Sequence, residues 1–306
     1  MSFDSTLDDL GDPAKRNTSE QLTSLSSLDN DERERLVEVW EDMEVSRRLS
    51  VLNAMTEMAQ DNVELNFDAV YKLALADPEQ EVRCAGLRGL FEYEGRDLIG
   101  TLTILLREDE DPHVRREAAI ALGRYAMAAE LGQLVGSDAD VIRDALIESA
   151  EDELEDEVVR ASAIEAVGCL SGEDTENLIE SIFREESMWL KVGAVDAMGR
   201  SANQTWLPIV ISEMENEAPE MRHAAAFAAG EIGAEEAIQP LKRLAISDVD
   251  REVQLAAIRG LGEIGGPAAA VALKSILYEG DDELREAVEE AISEAEFYDD
   301  PLNPTL

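Results

Sequence analysis

The sequence predicts an all-α protein, an α-solenoid of about eight helix pairs, and three observations carry that expectation. A short motif recurs along the chain, read most fully as DREVQLAAIRGLGEIG at 250–265 and again at 81–93, 113–125, 158–170, 189–201, 220–232 and 283–295. Aligning the copies on one polar position gives Arg48, Arg83, Arg115, Arg160, Lys191, Arg222, Gln254 and Arg285. Most of these positions lie 31 or 32 residues apart, the length of two three- to four-turn helices with two short turns. Hydrophobic residues make up 45% of the chain but aromatics only 5%, so the core is mostly Ala, Leu, Val and Ile. Small and branched aliphatics suit close helix-on-helix packing.

In order, residues 1–28 are rich in Ser, Thr, Asp and Asn without sustained periodicity and read as a mobile N-terminal arm, within which Leu22, Leu25 and Leu28 are spaced for a short helix that caps the array. Residues 29–298 read as a single solenoid. Asp29 or Asn30 is placed to cap a first helix carrying Leu36, Val37 and Trp40, and Leu49, Leu52, Met55 and Met58 share one face of a second. Further first helices are visible as AVYKLAL (69–75), LIGTLTILL (98–106), VIRDALIESA (141–150) and NLIESIF (177–183). WLPIVISEM (206–214), AIQPLKRLA (237–245) and AVALKSIL (270–277) continue the series. Residues 299–306 read as a polar tail.

Asp77-Pro78 and Asp111-Pro112 supply a capping carboxylate followed by a proline already set to helical φ. Gly123, Gly168, Gly199, Gly230 and Gly262 all stand eight residues after the aligned polar position, which reads as close packing or helix termination. The one wide spacing, 45 residues, places an insertion at 124–138 that lengthens a helix and then leaves it as a loop. The acidic run EDELEDE (151–157) reads as a solvated turn.

The period and the pattern D-P-x-x-x-V-R-x-x-A-x-x-A-L-G, best matched at 111–123 and 250–262, closely resemble HEAT repeats of the short subtype in phycobilisome-lyase-like proteins. That resemblance implies a right-handed superhelix whose second helices line a concave face. It also implies a structural ladder in which the motif Arg pairs with an Asp of a neighbouring turn. Arg83, Arg115, Arg160, Arg222 and Arg285 would take that role here, with Asp77 and Asp111 among the partners. Lys191 and Gln254 depart from the pattern and should weaken it.

The net charge is −43. Such a field repels a phosphate backbone and an anionic membrane surface, so nucleic acid and membrane are excluded as partners. It leaves a protein partner, a basic one in particular, or a loosely held calcium, beside the plain reading of solubility or salt adaptation. Cys84 and Cys169 sit inside helical patterns and read as buried thiols. With no signal-like opening and no long apolar run, a soluble cytoplasmic protein is expected.

No catalytic, cofactor or metal constellation is legible. His113 and His223 lie in different repeats, and no phosphate-loop, dinucleotide or nucleophile-elbow motif occurs. The acidic clusters lack the spaced ligands and turn glycine of an EF-hand. The function expected is therefore non-enzymatic, a scaffold or adaptor binding a protein partner on its concave face. Family resemblance alone adds a bilin ligase or isomerase, and the charge adds an acidic chaperone or shield for a basic protein.

Helical geometry locates the binding face. Counting from the aligned polar residue, positions +1, +5 and +9 form a stripe opposite the core positions. Its members include Ala161, Glu165 and Cys169, then Val192, Asp196 and Arg200, then His223, Phe227 and Glu231, then Leu255, Arg259 and Glu263. Val192, His223, Phe227, Leu255 and Arg259 are the candidate partner-binding residues, an apolar spot in an acidic protein. The competing reading buries Phe227 in the seam between repeats, and takes Trp189 and Trp206 as packing anchors near helix starts.

Overall fold

The structure is a computed structural model, which describes residues 3–12, 15–134, 136–277 and 282–298. Among them every regular element is helical. The chain divides into two compact units, residues 1–121 and 122–306. The polar tail expected at 299–306 lies outside the described residues.

Unit 1 begins earlier than its sequence suggests. Where an arm is expected, α1 (Phe3–Gly11) and α2 (Ser19–Thr23) form, and Leu7, Leu10, Leu22 and Leu25 are buried. The cause is local polar satisfaction. Thr18 and Gln21 make a reciprocal capping box at the start of α2. Arg47 donates to the carbonyl oxygens of Asp9 (2.9 Å) and Leu10 (2.8 Å), covering acceptors that the end of α1 leaves open. Two leucines on one short helix are too few to register as a period.

The helix pairs follow. Unit 1 holds α3 (Asn30–Asp42) with α4 (Val45–Asp61), α5 (Asp68–Ala74) with α6 (Gln80–Gly89), and α7 (Asp97–Glu108). The division falls within α8 (Pro112–Glu130), which the insertion extends as expected before a loop begins at Leu131. Unit 2 then pairs α9 (Ser137–Glu151) with α10 (Glu157–Val167) and α11 (Glu173–Phe183) with α12 (Met188–Arg200). Next come α13 (Leu207–Glu213) with α14 (Pro219–Ile232), α15 (Ile238–Ser247) with α16 (Arg251–Ile264), and α17 (Gly266–Leu277) with α18 (Asp282–Tyr298). Among the described residues the fold is that of an all-α solenoid, with pairs α3 to α6 in unit 1 and pairs α9 to α18 in unit 2.

In unit 2 the recurring glycine decides how closely second helices approach. A Cβ on Gly168 would lie 2.5 Å from the Ala197 carbonyl oxygen, and one on Gly199 would lie 2.6 Å from Ala228 Cα. One on Gly230 would lie 2.7 Å from Gly260 Cα. Each contact joins the eighth position of one copy to the sixth of the next, so the seam also fixes register. Close packing is therefore the glycine's role. Termination falls to Gly233 and Gly265, whose φ of 70° and 65° few other residues adopt.

The ladder arginines sit at the starts of the second helices, and their carboxylate partners close the first helix of the following pair. Arg83 makes two bonds to Asp109, Nε and Nη2 each at 2.8 Å, and its Nη1 donates to the Asp77 carbonyl at 2.8 Å. Arg222 repeats this with Asp248 at 2.7 and 2.8 Å and with the Asn216 carbonyl at 2.9 Å. Arg160 uses Glu185, and Arg115 donates to the Asp109 carbonyl at 2.7 Å. Arg285 is exposed on α18. The expected partners need correction: the Asp77 carboxylate serves Arg48 (2.7 Å), a rung outside the expected set, while Asp111 accepts from the His113 N–H at the start of α8. An arginine reaches across to the next pair because the acid there already accepts a backbone N–H two residues on, Asp111 N–H to Asp109 at 3.0 Å and Asp250 N–H to Asp248 at 2.9 Å. Among the described residues Lys191 has no ion-pair partner, and the matching acid position is Asn216. Gln254 instead accepts from Arg251 at 3.0 Å.

Candidate functional site: an acidic groove in unit 2

The seam buries the Ala and Gly face of α10, α12, α14 and α16, and leaves the +1, +5 and +9 side chains at least partly open, the buried Cys169 excepted. Two adjoining cavities lie along that stripe. The larger, about 570 Å³, is lined by Glu165, Val192, Asp196, Arg200, His223 and Phe227, and reaches Pro219 and Asp250 at the helix starts. The smaller, about 370 Å³, is lined by His223, Phe227, Leu255, Arg259 and Glu290. His223 and Phe227 form the wall that both cavities share. All five candidate partner-binding residues thus line one continuous groove, with Phe227 half-buried and His223 and Arg259 exposed.

The groove is unbalanced in charge. Arg200 donates to Glu165, and the same guanidinium acts on Asp196 and Glu231. Burial, with Glu165 adding repulsion, pushes the Asp196 carboxyl up to about 8, although Arg200 pulls the other way. Burial also pushes Glu231 up to about 7 against the pull of Arg200, helped by Glu263 and Glu165. Burial disfavours the Arg200 charge, but the surrounding carboxylates outweigh it and its pKa is raised. The Oε2 of Glu231 and the Nε of Arg200 are both enclosed without a hydrogen-bond partner. Three carboxylates therefore share one guanidinium, and a further donor cation would find acceptors ready.

The candidates expected from the sequence are Val192, His223, Phe227, Leu255 and Arg259, and these charged members belong to the same stripe, at +5 and +9. Their significance depends on burial, which the seam creates and a linear pattern does not display. The thiols of Cys84 and Cys169 are buried, and burial raises the pKa of each. Trp206 packs inside, but Trp189 does not.

Comparison with known proteins agrees with this architecture. The HEAT repeats family model matches residues 67–168, 175–256 and 207–293. A HEAT repeat-containing taxis protein of Halobacterium salinarum is 27% identical over 191 residues, 62% of this chain and 40% of that protein. The chain thus spans under half the length of that curated relative. Among solved structures, the CpcE–CpcF complex of phycocyanin lyase from Nostoc sp. superposes with a TM-score of 0.51 at 16% identity, over 74% of this chain and 94% of that one. Kap95p, solved with RanGDP, gives 0.52 at 14% identity over all of this chain and 49% of its own. Identities this low establish fold alone. With family-model matches spanning most of its length, the chain belongs to the HEAT-repeat family.

Proposed function

We propose that this protein is an interaction scaffold that holds a segment of a partner protein in the groove of unit 2, between α12, α14 and α16. The observation that carries the reading is the pairing of an apolar wall, Val192, Phe227 and Leu255, with a carboxylate cluster that has one guanidinium to share. A segment bearing one apolar anchor beside a Lys or Arg satisfies both. Burial of the anchor supplies affinity, and the cation answers Asp196 and Glu231, whose neutral forms are otherwise favoured. Long-range attraction by the net charge of −43 is the lesser factor. Screening shrinks its reach to about 3 Å at 1 M salt, whereas enclosed pairs are screened much less. The taxis relative supports placing the scaffold in a signalling assembly.

Affinity capture from the source cell, read by mass spectrometry, tests this. A specific partner should be retained by the native chain and lost with Phe227→Glu and with the exposed-site variant His223→Glu. An unchanged partner set in both variants overturns the reading. A coloured adduct on co-expression with a bilin and a phycobiliprotein would replace it with chromophore ligation.

A further inference from the structure

The turns that join first to second helices in unit 2 carry large apolar side chains where solubility would favour acids. Leu154, before α10, is 96% exposed, and Val249, before α16, is 97% exposed. Met188 and Trp189 open α12, with Trp189 at 61% exposed. The corresponding turn before α14 carries Ala218-Pro219. Leu154 and Val249 do little to hold the fold together, since each has shed little area from water. Scattered exposed apolar residues are ordinary. These are not scattered: they stand at three of four successive turns, and the Gly–Ala seam holds the helices that follow in a single register. The four turns therefore share one edge, at steps of roughly 8–10 Å, the spacing of packed helices.

The same edge is acidic. Glu153, Glu186, Glu215, Glu217, Glu220 and Glu252 are exposed there, and among the described residues none forms an ion pair with a cation. A second copy of the chain, itself at −43, would be repelled. Anionic lipid and nucleic acid are disfavoured on the same ground.

We propose that this edge is a second docking surface, adjoining the groove at Pro219, Glu220 and Glu252, and that its occupant is a basic amphipathic helix of a partner protein. The step between turns selects a helix. At a rise of 1.5 Å per residue, seven residues advance about 10.5 Å, so an apolar side chain at every seventh position meets successive turns. Lys and Arg on the flanks then meet the six glutamates.

The probe is a synthetic helix of about 25 residues, with Leu at every seventh position and Lys or Arg on both flanks, titrated into the full chain at ~0.15 M salt. Trp40 and Trp206 are buried, so acrylamide quenching reports Trp189. The expected result is loss of Trp189 quenching on binding. Leu154→Ser with Val249→Ser should weaken the binding that Trp189 reports at least about tenfold, and Phe227→Glu, which disables the groove, should leave that Trp189 titration in place. Both serine sites are almost fully exposed, so the double variant retains the fold. Unaltered Trp189 quenching, equal binding by the double variant, or equal binding by a peptide with each Leu replaced by Ser overturns the proposal. Self-association of the native chain in sedimentation, abolished by the double variant, would assign the edge to a second copy instead.

Discussion

Two charged regions on the same second helices of unit 2 behave in opposite ways. At the start of α14, Arg222 meets the single carboxylate of Asp248 through two bonds and passes its third nitrogen to a backbone carbonyl. Charge and hydrogen bonds both close. Further along the helices, Arg200 is shared among Glu165, Asp196 and Glu231, and enclosed atoms on both sides lack a partner. One region completes itself within the chain, and the other is completed from outside. The first builds the solenoid, while the second is where a partner's cation gains most.

The ladder should give the largest response. Arg222→Ala leaves the nearly enclosed Asp248 charge without its partner, and should lower unfolding free energy by about 3 kcal/mol in chemical denaturation. Arg200→Met should lower it by less, because the groove carboxylates can take protons instead. Equal losses would erase the distinction.

The seam comes next. Gly168→Ala drives a methyl group into the Ala197 backbone and should cost about 1–3 kcal/mol, reduced by the better helix propensity of alanine. Gly100, within α7, has open space where a Cβ would go. Gly100→Ala should therefore stabilise by about 0.5–1 kcal/mol. If both substitutions stabilise, the seam does not set helix approach.

The smallest effect is on pH dependence, because both side chains are only partly enclosed. Asp196 and Glu231 have folded-state values near 8 and 7, above their ordinary 3.8 and 4.5. Between the unfolded and folded values the folded state holds more protons, so stability is greatest below about pH 4 for these groups and falls as pH rises toward 8. Asp196→Asn should flatten that fall in thermal unfolding followed from pH 5 to 9. It should also weaken partner capture. A gain in stability with a loss of binding is the signature of a group held for function.

The repeat was legible in the chain. The spacing of Arg83, Arg222 and their counterparts, and the +1, +5, +9 count that led to Val192, Phe227 and Leu255, needed only helical geometry. What escaped the sequence was tertiary. Arg83 passes over the Asp77 carboxylate, nearer in sequence, for Asp109, because the first helix of the next pair delivers that acid to it. Trp189 resembles a packing anchor at a helix start, yet nothing in unit 2 folds over it. The helix α1 has too few leucines to show a period and depends on Arg47 to close its end.

The central claim is that the open stripe of α12, α14 and α16 receives a partner. Hydrogen–deuterium exchange of the full chain, with and without a captured partner, tests it most directly. Added protection should fall on residues 188–200, 219–232 and 251–264. Protection confined to the first helices, 207–213 and 238–247, would contradict it.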